Sequence, residues 1–159
     1  MLPLKKLSWA TLKRLIRIQF PAVNHISAAD LAKWLEQDSS PLLLDARTLV
    51  EYQVSHLPKA QLISEDWLQK CHIQQREECE AKACNAQSIV VYCSVGYRSA
   101  KLAAKLQRQG FQQVFNLEGS IFAWANAGYP VYRGTQQVHQ VHPYNIIWGT
   151  LLNAGLHSP

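Results

Sequence analysis

Apolar positions change period several times along this chain, and each change predicts a new element. Trp9, Leu12, Leu15, Ile16 and Phe20 recur at helical spacing with Lys13, Arg14 and Arg17 between them. That spacing predicts a short basic amphipathic helix ended by Pro21. Ser27 with Asp30 three residues on is a capping-box variant, and Leu31, Trp34 and Leu35 form the stripe of a second helix, closed by Ser39, Ser40 and Pro41. Leu42 to Leu44 then run without alternation into Asp45, as a central strand of a parallel sheet does when both its faces are covered. Gln61 to Ile63 reads as a short strand, and Ile89 to Tyr92 as another. After a loop from Cys93 to Arg98, Leu102, Ala103 and Leu106 return to helical spacing. Gly110 is placed to cap that helix, and Phe111 to Leu117 reads as the next strand. A last apolar patch, Tyr144 to Leu152, suits a short helix or hairpin piece laid on the domain or on the leader. Strands alternating with helices predict an α/β fold with a mainly parallel sheet.

Charge and composition refine this picture. With 159 residues, 48% of them hydrophobic, the chain can bury one real core. The formal charge of +5 resides in the leader: Lys5, Lys6, Lys13, Arg14 and Arg17 precede the first acidic residue, Asp30, and the other 11 basic and 11 acidic residues cancel. The basicity is therefore no argument for nucleic-acid binding, and no nucleic-acid motif is present. The leader lacks an unbroken apolar core of signal-peptide length, and no stretch approaches the ~20 residues that span a bilayer. Residues 1–24 stay open to three readings: a helix packed on the domain, a membrane-surface or partner-docking helix acting through residues 1–20, or a transit peptide. A cytoplasmic location, with peripheral membrane association as a variant, is the expectation. Cys71, Cys79 and Cys84 are spaced unlike a common zinc site, and free thiols in a reducing compartment are expected, one of which could resolve a modified Cys93. His139 and His142 read as solvated loop residues, and no metal or organic cofactor is expected.

The loop after the fourth apolar run carries the chemistry. A cysteine there is often only a small buried hydrophobe. Here Cys93 is followed by Gly96, Arg98, Ser99 and a helix. At the carboxyl end of a strand, facing a helix N-terminus, backbone N–H groups and the helix dipole favour thiolate over thiol. Arg98 adds a fixed positive charge, and Gly96 the freedom to turn the amides inward.

The C-x-x-G-x-R-S pattern of Cys93 to Ser99 resembles the active-site loop of the rhodanese-like sulfurtransferases. Two further blocks fit the same family. Asp45, Arg47, Glu51, Tyr52, His56, Pro58 and Ala60 match its Asp-x-Arg, Glu-Tyr and Gly-His-Ile-Pro-Gly-Ala pattern, with Ser55 and Lys59 in place of the two glycines. Leu117-Glu118-Gly119-Ser120, Trp124 and Gly128-Tyr129-Pro130-Val131 are similar to its closing Leu-x-Gly-Gly turn, Trp helix and exit, with Ser120 in place of the second glycine. The resemblance covers about Ile26 to Val131. It implies a three-layer α/β fold with helices on both faces of the sheet, occupying residues 25–133, with 134–159 as an extension on the domain or toward a partner.

It also implies a sulfurtransferase. Cys93 would take a sulfane sulfur from thiosulfate or a similar small anion as a persulfide and pass it to a thiol, a protein acceptor or cyanide. Ser94, Val95, Gly96, Tyr97 and Arg98 would hold the charge through the loop amides, Arg98 would close the loop and bind the donor anion, and Ser99 would cap the helix and hydrogen-bond the sulfur. Asp45, Arg47 and Glu51 would form one supporting hydrogen-bond and ion-pair set, Asp45 or Arg47 bordering the pocket in a secondary reading; His56 and Trp124 would be structural. Phosphatases of this fold need five residues between cysteine and arginine, whereas four separate Cys93 from Arg98 and Tyr92 stands where phosphatases carry histidine. A non-catalytic binding module is the other alternative.

Overall fold

In the computed structural model, which describes residues 8–63 and 87–159, five short strands lie side by side in a wholly parallel sheet. They are β1 (Asn24–Ile26), β2 (Leu42–Asp45), β3 (Gln61–Leu62), β4 (Ile89–Tyr92) and β5 (Val114–Leu117), in the order β1-β5-β4-β2-β3. Strand β4 is central, paired with β2 and β5, and all four of its residues are buried. Its side chains divide between two cores. Val90 and Tyr92 join Leu43, Leu57, Phe122 and Trp124 on one face, while Ile89 and Val91 join Leu44, Ala103, Leu106 and Val114 on the other. A strand covered on both faces has no polar side, which is why its sequence does not alternate.

Helices α1 (Trp9–Gln19), α2 (Ala28–Leu35) and α5 (Ser120–Asn126) contribute to the first core, and α4 (Tyr97–Arg108) to the second. Helix α3 (Leu49–Val54) follows β2. Ser27 caps α2 as its sequence predicts, accepting from the Asp30 N–H at 3.1 Å and donating to the Asp30 carboxylate at 2.7 Å. At the end of α4, Gly110 adopts φ +100°, with its N–H on Gln107 O and the Phe111 N–H on Leu106 O, a Schellman closure. That closure corrects the strand expected from Phe111: the Phe111 amide is spent on the helix end, so β5 begins only at Val114.

The tail forms a hairpin, β6 (Val131–Arg133) and β7 (Gln136–Val138), and a short α6 (Ile146–Gly149). The division expected between residues 133 and 134 falls in the turn of this hairpin, at Gly134. Tyr132 in β6 exchanges two 2.8 Å backbone hydrogen bonds with the structural His56.

The leader helix α1 packs on the domain through buried Leu12 and Ile16, leaving Leu15 and Ile18 exposed. Arg17 Nε donates to Glu118 at 2.7 Å, and Lys13 Nζ lies 3.8 Å from the same carboxylate. Contact is close at Gly119, where φ is +74° and a Cβ would meet the Ala123 Cβ at 2.5 Å and the Trp9 ring at 3.3 Å. Among the described residues, no helix is long and apolar enough to cross a membrane. Lys5, Lys6, Cys71, Cys79 and Cys84 lie outside the described residues, and with them the resolving-thiol expectation.

Candidate active site

Cys93 leaves the carboxyl end of β4, where the parallel topology opens a crevice between sheet and helices. Gly96 is the N-cap of α4 at φ +111°, a conformation that side-chain-bearing residues rarely adopt, and it turns its N–H onto Cys93 Sγ at 3.1 Å. The N-terminus of α5 holds the loop from the other side, Ile121 and Phe122 N–H bonding to the carbonyls of Cys93 and Ser94 at 3.1 Å each.

Ser99 differs from expectation in one respect. Helix α4 has no side-chain cap, because Gly96 occupies the capping position; Ser99, in the first turn, points inward instead. Its Oγ donates to Asn116 Oδ1 at 2.6 Å and lies 3.4 Å from Cys93 Sγ. One hydroxyl proton serves only one acceptor at a time, so charge on the sulfur draws it from the amide oxygen. Asn116 is itself fixed, its Nδ2 donating to Gly96 O and meeting His25 Nδ1, each at 3.2 Å. Burial pushes the Cys93 thiol up, but the Ser99 hydroxyl and amide, the Arg98 charge and the Gly96 N–H outweigh it and set it below an ordinary thiol.

Arg98 is committed to Glu51. Its Nη1 and Nη2 donate to the two carboxylate oxygens at 3.0 and 2.8 Å, and Nη2 also donates to Ser94 Oγ at 2.9 Å. Glu51 additionally accepts from Ser94 Oγ, Thr48 Oγ1 and the Thr48 N–H, and the last of these bonds, with the Glu51 N–H donating to Thr48 Oγ1, makes the capping box that starts α3. Burial alone would raise this carboxyl, but Arg98 and Thr48 hold it at about 2.

The set expected from Asp45, Arg47 and Glu51 is thus two separate sets. Arg47 Nη2 donates to Asp45 Oδ2 and Ser55 O, each at 2.7 Å, bracing the turn after β2. Burial disfavours the Arg47 charge, yet Asp45 keeps it firmly protonated. Neither residue of this fully buried pair lines the cavity at Cys93, so they support the fold and do not border the site.

That cavity holds about 370 Å³. The loop supplies its floor with Cys93, Ser94, Val95, Tyr97 and Arg98. Leader helix α1 supplies one wall with Leu12, Leu15, Ile16 and Gln19, and the tail another with Tyr144 and Trp148. Gln19 Nε2 donates to Tyr97 OH at 3.0 Å, and the Tyr144 ring lies over the Arg98 guanidinium at 4.5 Å. The sequence had not assigned the cavity residues of leader and tail to the site, nor Asn116 and Ser120. Ser120 Oγ accepts the Cys93 N–H at 3.0 Å, donates to Leu117 O at 3.0 Å and lies 3.9 Å from Sγ. Its one signal was a serine where a glycine is usual, and it does adopt a glycine-like φ of +48°.

Comparison with known proteins agrees with this geometry. A sulfurtransferase from Allochromatium vinosum is 32% identical over 109 residues, 69% of this chain and 94% of that protein. A Mycobacterium tuberculosis protein named "Probable adenylyltransferase/sulfurtransferase MoeZ" is 32% identical over 105 residues, 66% of this chain, which spans only 25% of that protein's length. Among solved structures, a protein of unknown function from Rhodopseudomonas palustris CGA009, described as "Possible Tyrosine Phosphatase", superposes with a TM-score of 0.60 at 22% identity, covering 83% of this chain and 99% of that one. At that identity the likeness concerns the fold alone. The model of the Rhodanese-like domain family matches residues 27–127, from the cap of α2 through the loop at Cys93 to the end of α5, and the chain belongs to that family.

Proposed function

We propose that this chain is a sulfurtransferase that carries a sulfane sulfur on Cys93. The observation that supports it best is the environment of Sγ, buried at the cavity floor with the Gly96 N–H at 3.1 Å and the Ser99 hydroxyl at 3.4 Å. In the first half-reaction the thiolate attacks the outer sulfur of an anionic donor such as thiosulfate. The Cys93 S–S bond forms, the donor S–S bond breaks, and its electron pair leaves with sulfite. The persulfide retains a negative charge at a buried position, where preorganised amides and hydroxyls stabilise it. In the second half-reaction a thiol, protein thiol or cyanide takes the outer sulfur and restores the thiolate. Glu51 and Arg98 hold the loop, and neither needs to exchange a proton.

The test is intact-protein mass spectrometry after brief exposure to thiosulfate. The expected result is the gain of one sulfur atom, removed by cyanide and absent in Cys93→Ser. An unmodified wild type whose Cys93 is also inert to alkylation would refute the reading in favour of a binding module. The four-residue spacing from Cys93 to Arg98 speaks against phosphoryl transfer, whose three equatorial oxygens need a wider cradle.

A further inference from the structure

The cavity at Cys93 is larger and more apolar than an inorganic donor alone requires. Its about 370 Å³ falls in the ~300–1,000 Å³ range of organic ligand pockets and is several times the volume of thiosulfate. Leu12, Leu15, Ile16, Val95, Tyr144 and Trp148 make its walls chiefly apolar. All of them except Val95 lie outside residues 27–127, so this chamber is what the leader and tail of this chain add to the family's loop.

Charge points the same way. Arg98 is the one cation among the described residues lining the cavity, and its charge is met by Glu51 through two hydrogen bonds. The nearby basic side chains of α1, Lys13 and Arg17, face Glu118 instead. A thiosulfate dianion approaching a thiolate here finds dipoles for one terminal sulfur and, among the described residues lining the cavity, no uncommitted cation for its second charge. Placing that charge against Leu12, Ile16 and Trp148 is unfavourable, whereas an apolar body there gains by leaving water.

We propose that the preferred donor is an organic sulfane-sulfur monoanion with an apolar body, an aryl or branched-alkyl persulfide or thiosulfonate. Its body occupies the chamber between α1 and the tail, and its terminal sulfur reaches the loop. This proposal rests on the sulfur-transfer reading. For a thiosulfonate, the thiolate attacks the terminal sulfur, the Cys93 S–S bond forms, the donor S–S bond breaks, and its electron pair leaves on a sulfinate. One negative charge stays on the persulfide and one departs. For a persulfide, the leaving group is the corresponding thiolate.

The experiment measures second-order rate constants for sulfur loading of the full chain with benzenethiosulfonate, methanethiosulfonate and thiosulfate, each divided by its rate with a small free thiol in solution. That division removes intrinsic reactivity, so the ratio between the first two reads the body alone. Burial of a phenyl-sized group predicts a normalised preference of about 10- to 100-fold for benzenethiosulfonate over methanethiosulfonate, and thiosulfate slowest. Leu15→Ser and Trp148→Ser should each reduce that preference by about threefold or more. Leu15 is half exposed and Trp148 partly so, and circular dichroism of each variant is the check that it is folded. Equal normalised rates, fastest loading by thiosulfate, or a preference that survives both substitutions in folded protein overturns the chamber proposal while leaving sulfur transfer intact. Failure of all three donors to add sulfur overturns both.

Discussion

Replacing Glu51 by Gln tests whether the loop is held by this carboxylate. The side chain is 2% exposed, and its two oxygens accept from Arg98 twice, Thr48 twice and Ser94 once. Glutamine has nearly the same shape but must present an NH₂ to one of these donor sets. A magnitude follows from how far these donors depress the carboxyl. The carboxyl is held at about 2 against an ordinary 4.5, a gap that corresponds to on the order of 3 kcal/mol. Arg98 keeps 31% of its side-chain surface exposed and can recover part of its hydration, so about 2–3 kcal/mol is expected, or a melting temperature lower by roughly 4–12 °C for a chain of this size. The pH dependence supplies the sign. A carboxyl depressed by folding stabilises above its unfolded value and loses that contribution as pH falls toward its folded value. The gap between wild type and Glu51→Gln should therefore be full at pH 6–7, begin to narrow below about 4.5 and be nearly closed near 2. Calorimetric melts across that range measure it. A variant that melts within about 1 °C of wild type at neutral pH, or a gap constant from pH 6 to 3, refutes the reasoning.

Ser99→Ala removes the hydroxyl 3.4 Å from the sulfur. The midpoint of Cys93 alkylation against pH should move up, and sulfur loading at neutral pH should fall about tenfold, the worth of one hydrogen bond to a charged group. Ser120 separates hydrogen bonding from backbone strain. Ser120→Ala leaves the buried Cys93 N–H unpaired and keeps the +48° φ, costing about 2 kcal/mol, while Ser120→Gly loses the same bond but relieves the backbone and should be about 1 kcal/mol more stable than the alanine variant in denaturant titrations. Equal stabilities would mean that the backbone at Ser120 is unstrained.

Much of this arrangement was legible because local rules and tertiary context agree. The apolar runs at Leu42 and Ile89 were readable as buried parallel strands because both cores are built from the same four-residue β4. The caps at Ser27 and Gly110 were readable because the hydrogen bonds that end a helix are short-range in sequence. Cys93, Gly96 and Arg98 were legible for the same reason, since one loop holds them. The partner of Arg98 was not. Glu51 lies 47 residues away and had been grouped with its sequence neighbours Asp45 and Arg47, because nothing local shows that the turn after β2 faces the loop after β4. Asn116 and Ser120 escaped for a related reason: their side chains look like ordinary strand and turn residues until the fold brings them beside Cys93.

Leader and tail were the least readable parts, and the physical reason bears on function. An amphipathic helix shows that one face seeks cover but not what covers it. Basic residues between the apolar positions of α1 were compatible with a membrane surface, yet Lys13 and Arg17 both turn to Glu118, just before Gly119, whose lack of a side chain lets Trp9 approach. The tail presents the same ambiguity at Tyr144, whose ring covers the Arg98 guanidinium from a segment outside the family match. The loop at Cys93 therefore lies within the family match, while the remaining walls of its cavity come from helix α1, Tyr144 and Trp148. Selectivity in this chain should accordingly change with substitutions in those two segments, without alteration of the loop itself.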